Sequence, residues 1–171
     1  MVPVDLKWSA ASTLDARTYT TRTIYYSGTT TSGSTSTKSL KAFNYDNLNA
    51  DGYSSYFLNI CSKSPTPAQC ASLDTAGLTA ANNATNVINF LRGDRSYEVS
   101  VSSPKQPFRT RASVLGDIVN ASPVFVGAPP FDYADSGYST HKTDNASRTR
   151  MVYAAANDGL LHAFKIGRAH V

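Results

Sequence analysis

Asn157-Asp158-Gly159 stands between two apolar runs, Met151 to Ala156 and Leu160 to Phe164, and this arrangement constrains the fold more tightly than any other stretch of the chain. Asp-Gly is a preferred pair for a tight hairpin because both central residues tolerate positive φ. The sequence therefore predicts a β-hairpin over 151–164, with Asn157, Asp158 and Gly159 as its structural turn. Val152, Ala154 and Ala156 would share one face of the first strand, and small alanines there allow close sheet-to-sheet approach, as stacked blades require.

Composition points the same way. Eleven Asp accompany a single Glu, Ser and Thr together number 39, and there are ten Tyr and seven Phe. Residues that favour helix interiors are scarce and strand formers abundant, so the expected class is mainly β. At 171 residues the chain is one ordinary domain or part of a larger one. A formal net charge of +4 without a clustered basic run makes no phosphate-tracking surface, so nucleic acid is not an expected partner. No apolar run is long enough to span a bilayer. Met1-Val2-Pro3-Val4-Asp5 lacks the cationic start and apolar stretch of a secretory signal. The reading is a cytosolic protein or a missing start.

Val2, Val4, Leu6 and Trp8 alternate as on a half-buried strand, and Thr23 to Tyr26 reads as a second. From Ser27 to Ser39 every residue is Ser, Thr, Gly or Lys, which predicts a mobile surface loop. Phe43 to Leu58, with Asp51-Gly52, suits turns with little regular structure. One helix is expected over 79–92, with Thr79 as N-cap and Gly93 as left-handed C-cap. Val124-Phe125-Val126 reads as a buried strand, and Asp132 to Thr149 as a long polar excursion.

Three segments, in order, resemble one family: VINFLRGDRSYE (Val87 to Glu98), FRTRASVLGDIVNASPVFVGAPPFDY (Phe108 to Tyr133) and RMVYAAANDGLLHAF (Arg150 to Phe164). They are similar to the C-terminal β-propeller domain of the PilC/PilY proteins of bacterial type IV pili. Trp8 to Ala11 and Leu14 to Arg17 resemble the entry to that domain more loosely. One departure is Ala155-Ala156, where the family more often has Gly-Ala. The resemblance implies an incomplete β-propeller of quinoprotein-like blades with long loops over 1–164, because a four-stranded blade takes about 40–50 residues and a closed ring needs several. It also implies an exported, non-catalytic protein of the cell surface or pilus tip. Such a protein supports pilus assembly with pilins and minor pilins as partners, opposes retraction and mediates adhesion. Calcium is a ligand of the family's propeller. Residues 165–171, Lys-Ile-Gly-Arg-Ala-His-Val, depart from the pattern and look like a translated library adapter, so they are expected to be a non-native tail on a truncated fragment.

Arg92-Gly93-Asp94 offers the cation and carboxylate that integrins recognise, which would make it a host-receptor site. The competing reading is a helix end with surface ions around Gly93. Cys61 and Cys70 flank a segment containing Pro65 and Pro67. They form either a disulfide suited to export or two free thiols, and they lack the companion ligands of a zinc site. Asp132, Asp135, Asp144 and Asn145 lack the spacing of a twelve-residue calcium loop, so calcium is expected to bind the full-length protein outside this stretch. Read as chemistry, Asp158 and His162 are a carboxylate and a base, but turn geometry and local packing account for both. No catalytic, cofactor-binding or metal-binding constellation is expected. The alternative function is a fragment of a quinone-cofactor (PQQ-type) dehydrogenase propeller, since 156–164 also resembles its blades. Such an enzyme would draw cofactor-stacking residues from several blades, and only Trp8 is available in this chain as an indole platform.

Overall fold

The computed structural model describes residues 8–166, the first helix being α1 (Ala10–Asp15). They divide into two compact units, Ser12–Val114 and a second drawn from residues on either side of it, 8–11 and 115–166.

In the first unit, β1 (Tyr25–Ser32) pairs antiparallel with β2 (Thr35–Ala42), in register from Tyr25 opposite Ala42 to Ser32 opposite Thr35. The stretch expected as a loop over 27–39 is thus a hairpin, turning at Gly33 with φ 59°. Low hydrophobicity misleads here because threonine is a strong strand former and its hydroxyl pairs across strands. Thr30 Oγ1 lies 3.1 Å from Ser39 Oγ, and Thr31 Oγ1 3.0 Å from Ser36 Oγ. Most of the ribbon is exposed, so pairing rather than burial holds it.

The stretch over 43–58 is also more regular than its turn-like composition predicts. It holds α2 (Tyr45–Ala50), whose N-cap Asn44 accepts a 2.9 Å hydrogen bond from Asn47 N–H. The helix ends before Asp51-Gly52, with Gly52 at φ 79°. The helix expected over 79–92 is two helices, α3 (Thr75–Ala81) and α4 (Ala84–Arg92). Asp74 and Asn83 cap them, and Thr79 sits inside α3 with its hydroxyl donating to Thr75 O. Asn82-Asn83 breaks the pattern because Asn83 Oδ1 takes the free N–H groups of Thr85 and Asn86 and so starts a new helix. Ile88, Ala80, Ala81, Ala84, Leu48, Cys70 and Phe108 form the buried core of this unit.

In the second unit β4 (Met151–Ala155) is central, flanked by β3 (Val124–Val126) and β5 (Leu161–Lys165), all antiparallel. The hairpin lies where the sequence predicts it, but its turn differs in detail. Only Gly159 takes positive φ, at 80°. Gly159 N–H donates to Ala156 O and Ala156 N–H to Leu160 O, giving a three-residue loop with a glycine bulge. β3 is not buried: Val124 and Phe125 are 57% and 58% exposed, so their side chains are left largely uncovered on this edge strand. The polar excursion carries α5 (Tyr138–Asp144). Lys165 pairs with Met151, and Ile166 N–H donates to Arg150 O. The rest of the expected tail and the strand residues Val2, Val4 and Leu6 lie outside the described residues.

Candidate functional site

Arg92, Gly93 and Asp94 sit at the end of α4, where a helix leaves carbonyl groups without partners. Gly93 ends α4 at φ 113°. Gly93 N–H donates to Phe90 O and Asp94 N–H to Asn89 O at 2.8 Å, the pattern of a Schellman end. A Cβ on Gly93 would lie 2.9 Å from Arg22 Nη1 and 3.0 Å from Val114 Cγ1. Arg92 is half-buried over the Tyr19 ring, with Nη1 3.5 Å from Asn89 Oδ1. Its Nε is buried without a partner. Asp94 Oδ1 accepts from the N–H and hydroxyl of Ser96. Arg92-Gly93-Asp94 is therefore built into the end of a helix, with its side chains turned to local partners instead of projecting from an extended loop.

Two further arginines complete that end. Arg22 Nη1 donates to Arg92 O at 2.7 Å. Arg111 donates to Phe90 O and Asp94 O at 2.8 and 2.9 Å, places its guanidinium carbon 3.9 Å from the centre of the Phe90 ring, and pairs with Glu98. Cationic donors here satisfy carbonyls that a helix leaves open and complement the negative end of its dipole. Beside them Arg95 Nη2 and Val114 N–H both reach Asp15 Oδ1. Burial would raise the pKa of Asp15, but bonds from Val114 and Ser113 and the charge of Arg95 outweigh it and hold the carboxyl below its usual range.

At the base of the exposed ribbon, Lys41 Nζ lies 2.6 Å from Asp51 Oδ1, and Tyr26 OH donates to Asp51 Oδ2 at 2.7 Å. Those two bonds hold the Asp51 carboxyl below its usual range against the opposing effect of burial. Burial and then the bond to Asp51 push the Tyr26 phenol up to about 12. Gly28 is required for this approach, since a Cβ there would come within 2.6 Å of both Asp51 Oδ2 and Lys41 Cδ.

Cys61 and Cys70 are bonded through their sulfurs, with Cα atoms 5.6 Å apart. In the second unit, His162 Nε2 lies 2.8 Å from Asp158 Oδ2. Asp158 also accepts from Leu160 N–H through Oδ1 and from Gly116 N–H through Oδ2, while Asn157 N–H donates to Asp117 O. The hairpin turn is thereby fastened to Gly116-Asp117. His162 is buried, its ring near-parallel to that of Phe164, which in turn makes a T-shaped contact with Trp8 at 5.9 Å. This carboxylate–imidazole pair has the geometry to orient a base, but Asp158 also holds the backbone N–H groups of Leu160 and Gly116 and so serves the turn. Asp132 pairs with Lys142. Among the described residues no three His, Cys, Asp or Glu side chains are grouped to hold a metal, and no helix is long and apolar enough to cross a membrane.

Sequence reasoning passes over Glu98–Arg111 and Tyr26–Asp51–Lys41. A signal for the first was present: Glu98 is the only glutamate in the chain and closes one of the three resembling segments.

Fold and site together define a disulfide-bonded module of small antiparallel sheets whose charged residues fasten turns and helix ends. No family profile matches the chain, and no solved structure does. The type IV pilus biogenesis factor PilY1 of Pseudomonas aeruginosa strain PAK is 38% identical over 167 residues, 92% of this chain. PilY1 of strain UCBPP-PA14 is 30% identical over 168 residues, and a PilY1 homolog of Xylella fastidiosa is 43% identical over 96 residues, 52% of this chain. The chain belongs to the PilY1 family. It spans 12% of the length of the two Pseudomonas proteins and 8% of the Xylella one.

Proposed function

We propose that this chain is a portion of a type IV pilus protein displayed at the bacterial surface or pilus tip, where it supports pilus assembly and adhesion without catalysing a reaction. The similarity to PilY1 across 92% of the chain carries this reading. The order of strands lends further support to an incomplete propeller. A propeller blade has four strands, and the sheet here has three, with β3 at one edge and β5 at the other. An unpaired edge is a template for a further strand, either from the rest of a longer chain or from a pilin partner.

The test is a chimera in which these residues replace the matched segment of Pseudomonas PilY1. Surface piliation and twitching motility are expected to persist at normal protein levels. Loss of both, with the chimera stably made, would remove the pilus reading. Quinone-dependent alcohol oxidation by the intact protein would remove its non-catalytic part.

A further inference from the structure

We infer that the recess between α2, α3 and the start of α4 is a binding site for a neutral saccharide. It has a volume of about 620 Å³ and is lined chiefly by Tyr45, Leu58, Leu78, Asn82, Asn83 and Thr85. Small-molecule sites typically occupy about 300–1,000 Å³.

No lining residue carries a formal charge. An ionic ligand would lose water there without gaining a counter-charge, and a purely aliphatic one would leave the amides unpaired. The ligand that fits has dense hydroxyls on some faces and C–H groups on another. Tyr45, 37% exposed, supplies an aromatic surface for the C–H face.

The two asparagines make the recess specific. Asn82 Oδ1 accepts from Cys61 N–H at 2.9 Å. Asn83 Oδ1 accepts from Thr85 N–H at 2.9 Å and Asn86 N–H at 3.3 Å. With both oxygens committed to the backbone, each residue keeps its NH₂ as the group available to a ligand. These donors are oriented before binding, which lowers the entropy lost on association. Asn82 is held further by Asn59 N–H donating to its carbonyl, so the loop that contains the disulfide also fixes one wall.

The experiment titrates the purified 171-residue chain with galactose, N-acetylglucosamine and lactose, with sialyllactose as an anionic comparison, read by ligand-observed and protein-observed NMR. At least one neutral sugar is expected to bind and to shift the amides of Asn82–Thr85. Asn83→Asp keeps the cap acceptor but removes the donor and adds a charge, so affinity should fall about tenfold or more while the thermal midpoint holds. Tyr45→Phe should bind within about twofold of the parent and Tyr45→Ala about tenfold more weakly. Reducing the disulfide should weaken binding as well. Absence of binding by all three neutral sugars, preference for sialyllactose, or unchanged affinity in Asn83→Asp would each overturn the inference. Because the readout is direct binding, its failure leaves the chimera test of the pilus reading untouched.

Discussion

Arg111 Nε stands 2.6 Å from Glu98 Oε1, and the two side chains keep only 10% and 7% of their surface open to water. The same guanidinium caps two carbonyls and covers the Phe90 ring, which stacks on Phe108 at 4.5 Å. Removing one partner strands a buried charge, so Arg111→Ala should destabilise the chain by about 3–5 kcal/mol. Arg111→Lys should recover little, because an ammonium cannot reach all these groups at once. Urea unfolding measures both; a cost below about 1 kcal/mol for Arg111→Ala would refute this account.

Gly93→Ala should cost about 1–3 kcal/mol, since a residue with a Cβ is strained at φ 113° and meets Arg22 and Val114. Thermal unfolding checks it. A variant as stable as the parent would mean the helix end tolerates rearrangement, and Arg92-Gly93-Asp94 would then be free to take up an extended, receptor-like conformation.

Gly116→Ala should loosen the hairpin. A Cβ there comes 2.8 Å from Asp158 N and Cβ, leaving no space for the turn to remain fastened. The expected loss is about 1–3 kcal/mol. Hydrogen exchange should accelerate in Met151–Ala155 and Leu161–Lys165 and stay unchanged in Ala84–Arg92; unchanged hairpin protection is the outcome that counts against it.

Tyr26 and Asp51 give opposite pH slopes. The Tyr26 phenol is raised to about 12, so its stabilising effect is complete below the ordinary tyrosine value of about 10 and disappears as pH rises from about 10 to 12. Asp51 is lowered, so its effect is present above the ordinary carboxylate value of about 4 and is lost as pH falls through the depressed one. Tyr26→Phe should flatten the alkaline limb of a melting-temperature profile. An identical alkaline limb in both proteins would dismiss the Tyr26 contribution.

Reducing Cys61–Cys70 releases a short loop, and about 2–3 kcal/mol of stability should go with it. Paired denaturation curves with and without reductant measure the difference, and coincident curves would exclude a constraining bridge.

The sequence alone determined the hairpin over 151–164, the glycine end at Gly93 and, through three ordered segments, the family. Each of these is local: a turn dipeptide, a residue without Cβ and a string of neighbours carry their own conformational preference. Only the tertiary structure decided that the Ser/Thr run pairs as a ribbon, that the expected helix is broken by an Asn83 cap, and that Val124-Phe125-Val126 is an open edge. It alone brought Arg111 to Glu98, Lys41 and Tyr26 to Asp51, and Gly116 to the Asp158 turn. Those pairings join residues whose own preferences are neutral, and their energy comes from burial and partner geometry, which sequence spacing does not encode.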